Sequence, residues 1–244
     1  ALLSYSGNGN PYYYNLALNF WEMIQGRYRY SPGGVGNGEM FRQPYTQMLS
    51  MVTNGVNARD KEANPTLNET CCAYNLAKRT RYLNCYTPND ARLMDYYERV
   101  LYNQIIGSLN PDEYATTYHY AVGLNASKPW GNRTPQESCC GGTGSENHVK
   151  YQEAAYYVGA DTLWVALYLP TEAVWRDKNV RLTQTCDWPA ERSTITIRQG
   201  GRFAMKLRRP YWADSRFAVT LNGKPIATVT SPRQQPAGYV TIAM

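Results

Sequence analysis

The chain has 244 residues and a formal net charge of +6, and it is long enough to bury a substantial core. Its basic residues are scattered, with a local cluster at Lys206 and Arg208-Arg209, which reads as a solvated basic face and makes nucleic acid a weak expectation. No run is apolar enough to span a membrane, and six cysteines are too few for a disulfide scaffold of this size.

In chain order, Ala1 opens in what reads as the middle of a fold, and the first residues do not form a signal peptide pattern. The expectation is that sequence is missing at both ends. The compartment therefore stays open between periplasmic or extracellular and cytoplasmic. Asn10-Pro11 reads as a cap with proline at the first helical position, and Tyr13, Leu16, Ala17, Phe20, Trp21 and Ile24 follow at helical spacing. The loop Gly33-Gly34-Val35-Gly36-Asn37-Gly38 then leads to Glu39. It lacks the dinucleotide-binding spacing and no strand precedes it, so it reads either as a connector or as a place where a ligand approaches the backbone.

A second helix is expected from about Glu69 through Leu76, Ala77 and Leu83. Thr87-Pro88-Asn89-Asp90 reads as a capping box opening a third, with Leu93, Tyr97, Val100, Leu101 and Ile105 along one side. A further helix is expected over 145–157. The texture then changes. Residues 163–169 form a strand-like run, and alternation follows at Ile195 and Ile197, at Phe203, Met205 and Leu207, and at Phe217, Val219 and Leu221. Asn222-Gly223 reads as a hairpin turn. This second region reads as a β-sandwich and carries no cluster of catalytic residue types.

Two adjacent-cysteine pairs carry the most chemistry: Cys71-Cys72, opened by Glu69-Thr70, and Cys139-Cys140. Consecutive Cα atoms lie about 3.8 Å apart, below the usual disulfide range of roughly 4.4–6.8 Å, so each pair looks elsewhere for partners. A soft-metal site, disulfides between the pairs and buried free thiols all remain open at this point. Cys85 and Cys186 stand alone and read as small core residues. The 22 tyrosines and 6 tryptophans suit sugar binding and ordinary packing equally. The tripeptides at Asn68, Asn125 and Asn132 match glycosylation acceptors, relevant only in a eukaryotic secretory host. Neither His119 nor His148 has partners for a triad.

Gly33-Gly34-Val35-Gly36-Asn37-Gly38-Glu39-Met40-Phe41, Glu69-Thr70-Cys71, Tyr97-Glu98-Arg99-Val100-Leu101-Tyr102-Asn103 and Cys139-Cys140-Gly141-Gly142-Thr143-Gly144-Ser145-Glu146-Asn147 together resemble the β-L-arabinofuranosidases of glycoside hydrolase families 127 and 146. The resemblance runs in order over nearly the whole chain. It implies an α + β multidomain protein: a partial (α/α)6 helical barrel over residues 1–160, lacking its first part, followed by a β-sandwich over 161–244, truncated at its C-terminal end.

The same resemblance implies a zinc ion, Zn2+, held by Glu69, Cys71, Cys139 and Cys140, with Cys139 as nucleophile and Glu39 as general acid/base. Tyr118 matches a tyrosine lining the sugar pocket, although Ala121-Val122 replaces the usual Pro-Leu, and His119 lies beside it. Cys72 is extra to the pattern and reads as a packed helix residue. The implied reaction is release of L-arabinose from β-L-arabinofuranosides with retention. The implied partner is an arabinose-containing plant glycan or glycopeptide oligosaccharide, and a homo-oligomer is compatible with it. Two alternatives are a non-catalytic, zinc-stapled carbohydrate-binding protein and a related glycosidase acting on another sugar.

Overall fold

The computed structural model describes residues 1–37, 40–46, 49, 68–113, 116–120, 122, 128, 138–187, 191–226 and 238–243. Helices come first and sheets follow. The chain divides into two compact units, one made of Ala1–Leu83 and Tyr96–Lys150, the other of Asn84–Asp95 and Tyr151–Met244.

The first unit opens with α1 (Leu2–Asn8) and α2 (Pro11–Arg27). As expected, Asn10 caps α2: its side chain accepts from the Tyr12 N–H at 3.0 Å, with Pro11 at the first helical position. The buried stripe is narrower than the apolar one, Ala17, Trp21 and Ile24, while Leu16 is 47% exposed. Trp21 Nε1 donates to Thr80 Oγ1 at 2.8 Å, which ties α2 to α3 (Thr70–Tyr86) and gives the buried indole its partner. Leu76, Ala77 and Leu83 of α3 are buried as their spacing requires. Cys85 instead lies exposed beside the end of that helix, which overturns its core assignment.

Helix α4 (Ala91–Val100) begins later than a box at Thr87 would place it. Residues Thr87 to Asp90 close a turn, and the Asp90 side chain accepts from the Arg92 N–H at 3.2 Å, so Asp90 is the cap. The apolar side from Leu93 to Ile105 is buried throughout. Over Leu101–Ile105, however, the winding loosens to a π-turn, with a 3-10 turn following at Ile106–Ser108.

The helix expected over 145–157 is displaced. Helix α5 runs Cys139–Asn147, a 3-10 turn covers Tyr151–Ala154, and Tyr156–Val158 is strand β1. Ser138 sets the start, its hydroxyl accepting from the Gly141 N–H at 3.0 Å. Three glycines, each about 1 kcal/mol poorer than alanine in a helix, hide this segment from propensity.

In the second unit, β1 pairs antiparallel with β2 (Thr162–Val165), which runs parallel to β6 (Ala204–Arg209), itself antiparallel to β9 (Gly238–Ala243). A second sheet is the antiparallel meander β3 (Thr171–Trp175), β4 (Val180–Cys186) and β5 (Ser193–Gln199). Leu163, Val165, Met205, Leu207 and Ile242 of the first sheet share one core cluster with Trp175, Val180 and Leu182 of the second. Asn222 and Gly223 turn between β7 (Val219–Leu221) and β8 (Lys224–Ile226) as expected, with φ of 50° and 78°, the left-handed pair that a tight hairpin demands.

Arg208 does not belong to a solvated basic face. It is fully buried, donates through Nε to the Ala166 carbonyl at 2.6 Å, and pairs with Asp95 of α4. Cys186 is only half-buried at the end of β4.

A thiol and carboxylate cluster at two helix starts

Glu69 is drawn into an isolated strand bridge immediately before α3 begins at Thr70. Glu69 forms an antiparallel bridge with His119, the Tyr120 N–H donates to the Asn68 carbonyl at 3.0 Å, and the Thr70 N–H donates to the Tyr118 carbonyl at 3.0 Å. Asn68 is completely buried with φ of 61°, so it cannot receive a glycan; Asn125 and Asn132 lie outside the described residues.

This bridge delivers Glu69 to the start of α3 and places Cys71 in its first turn, while Ser138 places Cys139 and Cys140 in the first turn of α5. Both cysteine pairs thus sit where backbone N–H groups and the helix dipole favour a thiolate.

The two starts converge. One donor atom from each of Glu69, Cys71, Cys139 and Cys140 lies within 4.8 Å of all the others. Cys71 Sγ is 3.3 Å from Glu69 Oε2 and 3.4 Å from Cys139 Sγ, and the Cys71 N–H donates to Cys140 Sγ at 3.3 Å. None of the six cysteines is in a disulfide, and 3.4 Å is far beyond a bonded S–S distance of about 2.05 Å, which removes the disulfide reading. A tetrahedral ion with metal–sulfur distances of about 2.3 Å spaces its sulfurs about 3.8 Å apart, so these donors need to move little to receive one. Three thiols and one carboxylate are a donor set for a soft or borderline divalent ion. The cluster could hold a metal ion.

Without an ion, the cluster concentrates negative charge on Cys71. Hydrogen bonds from Cys140 and Cys72 pull the Cys71 thiol well below its ordinary range. The same hydrogen bond to Cys71, together with burial, pushes Cys140 up, and Cys72 rises for the same two reasons. One charge shared by donated S–H groups is what a metal ion replaces, at the expense of the protons.

Exposure separates the four. Glu69, Cys71 and Cys140 are at most 6% exposed, whereas Cys139 is exposed. Cys139 is therefore the member of the group that an incoming molecule can reach. The Tyr118 hydroxyl lies 3.5 Å from its sulfur, and the His119 ring lies 4.5 Å from the Tyr118 ring. Cys72 is half-buried, and its Sγ is 3.6 Å from Glu69 Oε2.

Glu39 and Gly38 lie outside the described residues. The loop before them is firmly tied. The Tyr96 hydroxyl donates to the Gly33 carbonyl at 2.9 Å, the Tyr30 N–H to the Gly34 carbonyl at 2.9 Å, and the Asn68 N–H to the Gly36 carbonyl at 3.0 Å. Gly34 packs directly on the side chains of Asn68 and Gln104. The loop backbone and the Glu69 segment are thus joined through one residue, Asn68.

Sequence reasoning read Asn68 only as a glycosylation acceptor, and it passed over Gln104 and the pairing of Lys78 with Glu146. Gln104 reaches Gly34 from the π-turn, which no spacing rule announces. Lys78 Nζ binds both carboxylate oxygens of Glu146, at 3.2 and 3.3 Å, joining α3 to α5 beyond the thiols. Lys78 and Glu146 each follow a cluster cysteine by seven residues, two helical turns on the same face, and that repeat is a signal the sequence did contain. His148 lies just beyond α5, where burial lowers its pKa to about 4 and leaves it neutral.

Among solved structures, the chain is similar to a GH127 β-L-arabinofuranosidase from Geobacillus stearothermophilus T6, with 23% identity over 92% of this chain and 35% of that one and a TM-score of 0.65. It is also similar to a GH127 β-arabinofuranosidase (22% identity, 92% and 36% covered, TM-score 0.62) and to a chain described as a glycoside hydrolase (21%, 92% and 39%, TM-score 0.61). The chain spans little more than a third of the length of each. A search of curated proteins finds no significant match. Residues 3–153 match the family model of the GH127 β-L-arabinofuranosidase catalytic domain, and residues 162–244 match that of the GH127 middle domain. With both models matched in order, the chain belongs to the GH127 β-L-arabinofuranosidase family.

Proposed function

We propose that this chain carries the reactive centre of a retaining glycoside hydrolase that releases L-arabinose from β-L-arabinofuranosides. In this reading residues 1–160 are the C-terminal part of an (α/α)6 barrel and residues 161–244 a β-sandwich. The observation that carries the proposal is the asymmetry of the cluster, three buried donors behind one exposed thiol. A purely structural staple has no use for an exposed ligand.

Zn2+ bound by Glu69, Cys71, Cys139 and Cys140 would hold the sulfurs as thiolates at neutral pH. The exposed Cys139 sulfur attacks the anomeric carbon while Glu39, protonated, donates to the departing oxygen. Glu39 then takes a proton from water, and that water cleaves the C–S bond, restoring the thiolate and the original configuration. Three thiolates and one carboxylate around a divalent ion sum to −2, which keeps the Cys139 sulfur electron-rich and favours positive charge developing at the sugar. Tyr118, beside Cys139, and His119, against the Tyr118 ring, orient the furanose ring. The substrate class is an arabinose-containing plant glycan or glycopeptide oligosaccharide.

The test is hydrolysis of an aryl β-L-arabinofuranoside by the full-length protein that contains this chain. Cys139→Ser should lower turnover by at least about 10³-fold, the scale on which activated nucleophiles act, with the circular dichroism spectrum unchanged. An unaltered rate refutes the assignment.

A further inference from the structure

Cys72 is the thiol the proposed reaction leaves unused, and its position is informative. Its sulfur lies 3.6 Å from Glu69 Oε2, the same oxygen that lies 3.3 Å from Cys71 Sγ. Cys139 and Cys140 complete the four-donor set with Glu69 and Cys71, and Cys72 stands just outside it.

The reaction gives this arrangement a use. When Cys139 attacks a sugar its sulfur becomes a thioether, an uncharged and poorer donor, and the four-donor set loses one negative charge. The geometry points to Cys72 as a reserve metal ligand, which takes the place of Cys139 while that sulfur is alkylated or absent. Atoms and charge balance: Cys72 releases its proton to solvent, one bond forms from its sulfur to the metal, one bond from Cys139 is lost, and the count of three thiolates and one carboxylate is restored. Three of the four donors, Glu69, Cys71 and Cys140, are common to both sets, and the Cys72 sulfur already lies 3.6 Å from one of them, Glu69 Oε2. This inference rests on the metal-site reading above.

Cobalt(II) provides the probe, since thiolate-to-cobalt charge-transfer absorbance scales with the number of bound thiolates. The proteins compared, each in full-length form, are wild type, Cys72→Ala, Cys139→Ala and the Cys72→Ala/Cys139→Ala double variant. Wild type and Cys72→Ala should show the same three-thiolate intensity. Cys139→Ala should keep it, and the double variant should fall to two thirds. A fall to two thirds in Cys139→Ala alone overturns the reserve-ligand role. Wild type with no thiolate bands overturns the metal site itself, so the two failures are distinct. Cys139→Ser, nearly isosteric, gives the same readout should the alanine variant fold poorly.

Discussion

Gly34→Ala is a sensitive probe of how the glycine loop is held. An ideal Cβ at residue 34 falls 1.8 Å from Asn68 Oδ1 and 2.1 and 2.5 Å from the Gln104 amide atoms, where 3.4–4 Å is ordinary contact. Neither neighbour has room to withdraw. Both are completely buried, and Asn68 Nδ2 donates to the Tyr120 carbonyl at 3.3 Å. Overpacking a well-filled site costs about 1–3 kcal/mol, and three contacts this short place the change near the top of that range, about 3 kcal/mol. For a chain of this length that corresponds to a fall in Tm of roughly 6–12 °C, read by differential scanning calorimetry. Asn68→Gly supplies an internal control: glycine accepts the left-handed φ of 61° and removes the nearest clashing atom. The double variant Gly34→Ala/Asn68→Gly should therefore lose less than the sum of the singles. Strict additivity, or a Gly34→Ala protein within about 0.5 kcal/mol of wild type, refutes this account of the loop.

Three further perturbations test other parts of the molecule. Asp95→Asn leaves the Arg208 guanidinium buried without its carboxylate and should destabilise by about 3–5 kcal/mol in urea unfolding, with Asp95→Leu/Arg208→Met recovering much of the loss. His148 has its pKa lowered from 6.5 to about 4 by burial, so the unfolded chain binds a proton first. Its contribution is complete above pH 6.5 and is lost as pH falls toward 4. Because the ring is partly solvated the loss should be about 1 kcal/mol, and His148→Gln should remove that part of the pH dependence. Lys78 and Glu146 are each more than a third exposed, so a double-mutant cycle should return a coupling below about 1 kcal/mol that shrinks further in high salt.

Legibility varied with how local the cause was. The Asn10 cap and the Asn222-Gly223 hairpin were readable because each depends on the side chain or backbone freedom of one or two residues. The start of α5 was missed because one serine outweighs three unfavourable glycines there. Arg208 was misplaced because an arginine's burial depends on a carboxylate 113 positions away. Cys85 was misplaced for a simpler reason: a lone cysteine carries no directional signal, and the face it takes is set by where α3 ends.

For the cluster itself, the identities of the donors and the family they mark were present in the residue order: Glu69 two positions before Cys71, and Cys139 next to Cys140. Chemical type and short spacing are properties of the chain alone. Tertiary structure decided what those donors became. A strand bridge at Glu69–His119 and a serine cap at Ser138 brought two helix starts, 68 residues apart, within 4.8 Å. Packing then buried three donors and left Cys139 in reach of solvent, and it set the Cys72 sulfur 3.6 Å from Glu69 Oε2. Convergence and exposure depend on long-range contacts, whose closure no local pattern encodes.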